Sequence, residues 1–240
     1  MKNITGMIRV RNEARWIERV VRAIQPICSS VYILDDHSTD ATALICSDIG
    51  CIVIPSPFME LNESGEMQFL FQHAMASNPD WIISIDGDEE LEQGGAEKIR
   101  AAIESAPTDV SYFTMRIVYL WDRVDQVRCD GVYGDFRHKR IFKPQPGAAF
   151  LGNNTKHNLH CGGAGNIKNL SGRQEALDID LLHYGYLHRE DRLRKYLWHQ
   201  EVEPNNPDED GFRHIVQGDV PEIPADAVLR WAGPLAFRLL

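Results

Sequence analysis

Trp81-Ile82-Ile83-Ser84-Ile85-Asp86-Gly87-Asp88-Glu89-Glu90 is the stretch from which the rest of the chain is best read. Its first five residues are mostly apolar and read as a buried strand, which runs directly into four carboxylates. A buried strand that ends in acid places its charges at the carboxyl edge of a sheet, where α/β folds bind ligands. If the extended geometry continues past Asp86, Asp86 and Asp88 point to the same side. Gly87 has no Cβ, so a ligand or metal can approach the backbone closely there. Two convergent carboxylates suit a hard divalent cation, Mg²⁺ or Mn²⁺, which keeps other positions for water and substrate phosphates. The alternative is a solvated acidic turn that caps the next helix.

Upstream, residues 6–11 alternate as a strand, which Asn12-Glu13 breaks. Ile17, Val20, Val21 and Ile24 then recur at helical spacing, closed by Pro26. Residues 31–34 form a second apolar strand that also ends in acid, Asp35-Asp36-His37-Ser38-Thr39-Asp40. Ser38 or Thr39 is expected to cap the following helix, with Gly50 at its C′ position. A third strand over 51–54 stops at Pro55, and a helix with Met67, Leu70, Phe71 and Ala74 inward ends at Asn78-Pro79. Strand and helix alternate three times in about 85 residues, the pattern of a parallel sheet with crossover helices. Two of the strands end in paired carboxylates, which gathers acid along one edge.

Downstream the pattern is less regular. A helix over 96–105 carries Ile99 and Ile103, and a long strand runs over 110–120. Residues 129–134 are turn-like. Arg137-His138-Lys139-Arg140-Ile141-Phe142-Lys143 is a basic strand, stopped by Pro144 and Pro146. It reads either as a surface facing an anionic acceptor or as an exposed edge strand with basic gatekeepers. Residues 150–172 read as loop, 179–183 as a last strand, and 189–201 as a charged helix with Leu193, Tyr196 and Leu197 on one face. The expected organisation is one domain over residues 1–204, split into halves at 105/106, with an irregular appendage over 205–240.

The bulk composition narrows the function. With 35 acidic and 25 basic residues the net charge is −10, which argues against a broad nucleic-acid footprint. No apolar run approaches the length needed to span a bilayer, and Met1-Lys2-Asn3 leads straight into a strand without an apolar leader. Cys28, Cys46, Cys51, Cys129 and Cys161 are scattered and odd in number, as expected of reduced thiols in a cytoplasmic protein.

Together these pieces resemble a family 2 glycosyltransferase of the GT-A fold. Val10-Arg11-Asn12-Glu13 matches a V-K-N-E motif at the end of the family's first strand. Asp35-Asp36-His37-Ser38-Thr39-Asp40-Ala41-Thr42 is close to D-D-x-S-x-D-x-T, and Asp86-Gly87-Asp88-Glu89 stands for the D-x-D metal motif. His183-Tyr184-Gly185-Tyr186 resembles an H-Y-G-Y segment of bacterial members. The resemblance implies an α/β, Rossmann-like fold with a mixed, mostly parallel sheet flanked by helices. It implies a nucleoside-diphosphate sugar donor, favouring UDP, and Mn²⁺ or Mg²⁺. In that pattern Asp36 meets the nucleobase, Asp35 supports its loop, and Asn12 and Glu13 contact the nucleotide near its ribose, on the segment begun by Val10 and Arg11. Asp88 coordinates metal, and Asp86, beside Gly87, binds ribose or the metal shell. His183 is either a further metal ligand or a core histidine bonded to backbone. Arg194 and Lys195 either face the leaving diphosphate or form a solvated helix face.

Inversion at the anomeric carbon asks for a base near the acceptor hydroxyl. Many relatives carry a His-Glu pair after the basic strand, whereas this chain has His157-Asn158, so Asp135, His157 and Glu175 are all candidates. His157, His160, Cys161 and His183 match no strong zinc spacing. The acceptor is a glycan, a lipid-linked carrier or a protein, and peripheral membrane contact stays open. Rival readings are a sugar-nucleotide-forming nucleotidyltransferase, which would want a glycine-rich loop absent from Val10–Arg15, and a non-catalytic nucleotide-sugar-binding domain.

Overall fold

Four parallel strands and the helices between them form the frame of the first half of the chain. In the computed structural model, which describes residues 1–60, 62–150, 165–202 and 212–240, they alternate from the N-terminus. They are β1 (Ile4–Val10), α1 (Ile17–Ile24), β2 (Ser30–Asp35), α2 (Thr42–Asp48), β3 (Ile52–Pro55), α3 (Glu63–Ala74) and β4 (Trp81–Asp86). The strand order is β4-β1-β2-β3, with Val10 opposite Asp35 and Arg9 opposite Asp86, so the three loops after β1, β2 and β4 open at one edge. A short β5 (Glu89–Leu91) and α4 (Gly95–Ser105) follow. This is a mixed α/β architecture, with its parallel part in these four strands.

The hydrophobic period explains the packing. Ile17, Val20, Val21 and Ile24 of α1 are buried, and a Cβ on Gly6 would come within 2.9 Å of Ile24, so α1 lies directly on β1. On the opposite face, Met67, Leu70, Phe71 and Ala74 of α3 meet Met7, Leu34, Ile82 and Phe142. Each such side chain removed from water stabilises the fold by roughly 1.5–3 kcal/mol.

The chain continues through β6 (Val110–Trp121), β7 (Arg123–Arg128), β8 (Arg137–Phe142), β9 (Ala149–Phe150), β10 (Ile167–Lys168), β11 (Arg173–His183), α5 (Arg189–Val202) and β12 (Phe237–Leu239). Two units result, Met1–Met115 with His138–Asp180, and Arg116–Arg137 with Leu181–Leu240; the boundaries fall inside β6, β8 and β11. In the first unit β8 pairs antiparallel with β4, and the Lys143 amide donates to Ser111 at the start of β6. The basic strand is therefore interior to the sheet and not an exposed edge. In the second unit β12, β7 and β6 form an antiparallel ribbon.

The units do not divide at residue 204. Residues 212–240 belong with β7 and α5, because two buried arginines need acceptors that this segment supplies. Arg128 donates to Asp130 (2.9 Å), to the His214 carbonyl (2.6 Å) and to Gln217 Oε1 (2.6 Å). Arg192 donates to both oxygens of Asp219 (2.6 and 2.8 Å), to Asp122 (2.8 Å) and to the Tyr186 carbonyl (2.8 Å). Both guanidiniums lie against the Trp121 ring, at 4.7 and 4.3 Å.

Other expectations are corrected. β11 begins at Arg173, well before 179, since its first half is exposed and polar and shows no apolar alternation. On α5, Leu193 and Tyr196 pack on Ile215, Val216 and Ile223, but Leu197 is 64% exposed and the buried residues are Arg192 and His199. Ser38 and Thr39 do not cap α2; the Asp40 carboxylate accepts from the Thr42 amide at 3.0 Å. Cys28, Cys46, Cys51 and Cys129 are free thiols.

Candidate functional site

The loops after β1 and β2 are tied to each other at the carboxyl edge of the first unit. The Asn12 amide donates to Ser38 Oγ (2.9 Å), the Thr39 amide to Asn12 Oδ1 (2.8 Å), and the Glu13 amide to Thr42 Oγ1 (2.8 Å). The Ala14 amide donates to Asp40 (3.2 Å) and the Asp36 amide to the Val10 carbonyl (2.8 Å). Asn12 and His37 adopt left-handed backbone, with φ of 55° and 52°. Asparagine and histidine tolerate that region better than most side chains, which fits the sharp reversal. Ser38 and Thr39 thus stitch two loops together, a use that a capping signal does not reveal.

Strand alternation sends Asp35 and Asp36 to opposite faces. Asp35 Oδ2 accepts from the Ser38 amide at 3.3 Å; on the α2 side burial, with a smaller contribution from the Asp35 field, raises the Cys46 thiol. Asp36 points to the α3 side, where Arg9 donates to its Oδ2 at 2.7 Å and Arg11 approaches the same oxygen at 3.4 Å. The Arg9 Nε also bonds Glu66, which accepts from Ser56 Oγ at 2.6 Å, and Glu63 lies 3.8 Å from the guanidinium. Burial raises the Glu66 carboxyl, with Arg9 opposing it. Arg9, Glu63, Glu66 and Ser56 were not expected here; two acidic residues one helix turn apart on α3, facing a lone arginine inside an apolar strand, were the available signal.

The D-x-D segment does not stay extended. β4 ends at Asp86, Gly87-Asp88 forms a two-residue turn, and β5 begins at Glu89. The turn is held by the Asp86 amide, which donates to Glu89 Oε2 at 3.0 Å. Asp86 and Asp88 therefore do not form a pair along one strand face: the Asp86 side chain is 39% exposed, while Asp88 is 4% exposed. Gly87 is required for a different approach from the one expected, since an added Cβ would lie 2.8 Å from Val10 Cγ1 and 3.4 Å from Glu13 Cγ. Arg140, buried on β8, donates to Asp86 Oδ2 at 3.0 Å and to Glu89. Burial pushes the Glu89 carboxyl up, with Arg140 opposing it. Burial and the nearby Arg140 lower His138 to about 4.

Other candidates fall elsewhere. Glu175 pairs with Arg173 (2.7 Å), which pairs with Asp109 (3.0 Å). That chain lies beside Lys143, whose amine sits 5.0 Å from the Trp81 ring at the start of β4. Glu175 is thus near the far end of β4 from Asp86, a run of roughly 16 Å at ~3.3 Å per residue. Asp135 is exposed in the second unit. His157, Asn158, His160 and Cys161 lie outside the described residues. In the second unit His183 packs against Tyr186 and Tyr119, with centroids 4.6 and 5.0 Å away. Arg194 is half-exposed near Asp191 (3.6 Å), and Lys195 lies over Tyr186 at 5.8 Å.

Among the described residues, no three His, Cys, Asp or Glu side chains form a metal cage. Mg²⁺ and Mn²⁺ chemistry does not require one: one or two carboxylates with substrate phosphates and water suffice. Nor is any helix among those residues long and apolar enough to cross a membrane.

A family model described as glycosyl transferase family 2 matches residues 7–170. The chain is 33% identical over 108 residues to an uncharacterized glycosyltransferase of Rickettsia bellii, covering 45% of this chain and 35% of that protein. It is 23% identical over 213 residues to an uncharacterized protein of Mycobacterium tuberculosis, covering 84% and 51%. The chain thus spans about a third to a half of the curated relatives it matches. Among solved structures it is similar to glucosyl-3-phosphoglycerate synthase from Mycobacterium tuberculosis in complex with Mn²⁺ and UDP-glucose. That likeness has a TM-score of 0.38 at 20% identity, over 49% of this chain and 44% of that one.

Proposed function

This chain belongs to glycosyl transferase family 2, and from that premise we propose that it moves a sugar from a nucleoside-diphosphate donor, UDP-linked first among them, to an acceptor hydroxyl with inversion. The observation that carries the reading is the stitching of the Asn12-Glu13 and Asp36–Asp40 loops beside the Asp86–Glu89 turn, all at the carboxyl ends of parallel strands. That edge is where α/β sheets bind nucleotides.

In this reading Asp36 meets the base, Asn12 and Glu13 shape the ribose side, and Asp35 props the loop through Ser38. Asp88, with Asp86 beside it, would hold Mn²⁺ or Mg²⁺, which when bound stabilises the negative charge growing on the departing diphosphate. Arg140 orients Asp86 and shares its charge with Glu89, keeping the turn from splaying. His183, Arg194 and Lys195 are proposed as further donor contacts. The base that takes the acceptor proton is Asp135 or His157, since Glu175 is committed to an ion pair near the start of β4. The acceptor is a glycan, lipid-linked or protein hydroxyl. The protein acts on the cytoplasmic side, free or at a membrane surface, and does not bind nucleic acid.

The test is sugar transfer or slow donor hydrolysis from a panel of UDP-, GDP- and dTDP-sugars with Mn²⁺. Turnover of one donor class, lost in Asp88→Asn, supports the reading. Nucleotide binding without turnover of any donor favours a non-catalytic domain instead.

A further inference from the structure

We propose that Arg9 and Arg11 are specificity-determining residues that make Asp36 a one-oxygen reader of the nucleobase, selecting uracil over guanine. The inference rests on the transferase reading above.

Both guanidiniums converge on a single atom. Arg9 donates to Asp36 Oδ2 at 2.7 Å, and the Arg11 terminal nitrogen lies 3.4 Å from the same oxygen. Oδ1 accepts from none of the described residues, and the side chain retains 7% exposure at the edge where β1 and β2 end. Arg9 cannot turn away: its Nε is bonded to buried Glu66, and Glu66 is fixed by Ser56. The orientation of the Asp36 carboxylate is set from below by a chain running β1 to α3 to the loop after β3.

A free carboxylate offers two acceptor oxygens side by side, the complement of the adjacent N1–H and N2–H₂ donors of guanine. Here the second oxygen is occupied, so the second guanine donor would face guanidinium N–H groups, a donor-to-donor clash that leaves a polar group unpaired. Uracil presents one donor, N3–H, flanked by two carbonyl oxygens. N3–H, a single donor, is matched by Oδ1, the oxygen that neither arginine contacts. The arginines thus discriminate by refusing guanine as well as by accepting uracil.

Calorimetric titration of UDP and GDP into the wild type, Arg11→Met, Arg9→Lys and Arg9→Met tests this. The wild type should prefer UDP by at least about tenfold, the worth of one charge-assisted hydrogen bond. Arg11→Met, exposed enough to fold normally, should lower the UDP-to-GDP ratio by roughly threefold. A folded Arg9→Met should bring the ratio near unity, with Arg9→Lys restoring part of it; a merely structural role would weaken both nucleotides alike. UDP binding with an unchanged ratio in Arg11→Met, or a wild type that prefers GDP, overturns the inference alone. Binding of no nucleotide by the folded wild type overturns the transferase reading and this inference with it.

Discussion

Arg9 and Arg140 in the first unit and Arg128 and Arg192 in the second are all largely buried, but they are satisfied differently. Arg128 and Arg192 each donate to fixed acceptors, including backbone carbonyls of His214, Tyr186 and Leu187, and each lies over Trp121. Their bonds tie residues 212–219 to β7 and α5. Arg9 and Arg140 instead face a surplus of acid, Asp36, Glu63 and Glu66 around one and Asp86 and Glu89 around the other. Asp86 keeps 39% of its side chain exposed and Glu63 14%, against 1% for Glu66 and for Glu89. Saturated arginines build a fold, whereas outnumbered arginines orient acids that have acceptor capacity left for a ligand.

Substitutions should separate these uses. The largest effect on stability is expected from Arg192→Met, which strands the Asp219 carboxylate at the base of α5. Breaking a buried pair from one side costs about 3–5 kcal/mol, read as a lowered denaturant midpoint. The largest effect on activity is expected from Asp88→Asn, with kcat/KM falling by roughly 100-fold or more and the fold retained. Arg140→Met should weaken metal-dependent donor binding by about 10–100-fold, the usual cost of losing a partner that orients a ligating carboxylate. If Arg140→Met lowered the denaturant midpoint as much as Arg192→Met and left donor binding alone, the comparison would fail.

Gly87→Ala should cost about 1–3 kcal/mol by forcing Val10 and Glu13 aside. The smallest effect concerns His138, whose folded-state value of about 4 lies below the ordinary 6.5 because burial disfavours its charged form. The unfolded chain binds the extra proton in that window, so His138 contributes stability that is complete above pH 6.5 and lost as pH falls toward 4. His138→Gln should flatten the stability curve over that range.

The parallel half was legible because most of its elements carry a clean period: α1 and α3 repeat apolar residues on one face, β1 alternates, and β2 and β4 are apolar runs that end in acid. The acidic edge could be read for the same reason. What stayed hidden was how those acids are held. Arg9 sits in a strand whose neighbours are apolar, and nothing local ties it to Glu66, 57 residues on. The choice between continued strand and turn at Gly87-Asp88 stayed open in the sequence because extended and turn backbones suit Asp-Gly-Asp equally well. In the second unit the organising residues are Arg128 and Arg192, and a charged residue buried among charged neighbours leaves no hydrophobic period to detect. The exposed first half of β11 was missed for the same cause.

The central claim is that the acidic edge of the first unit binds a nucleoside diphosphate through a metal held at Asp88. Calorimetric titration of UDP into the wild type and Asp88→Asn, each with and without Mn²⁺, tests it most directly. The account predicts Mn²⁺-dependent UDP binding by the wild type and weak, Mn²⁺-independent binding by the variant. Equal affinity in all four titrations, or no binding by a folded wild type, would contradict it.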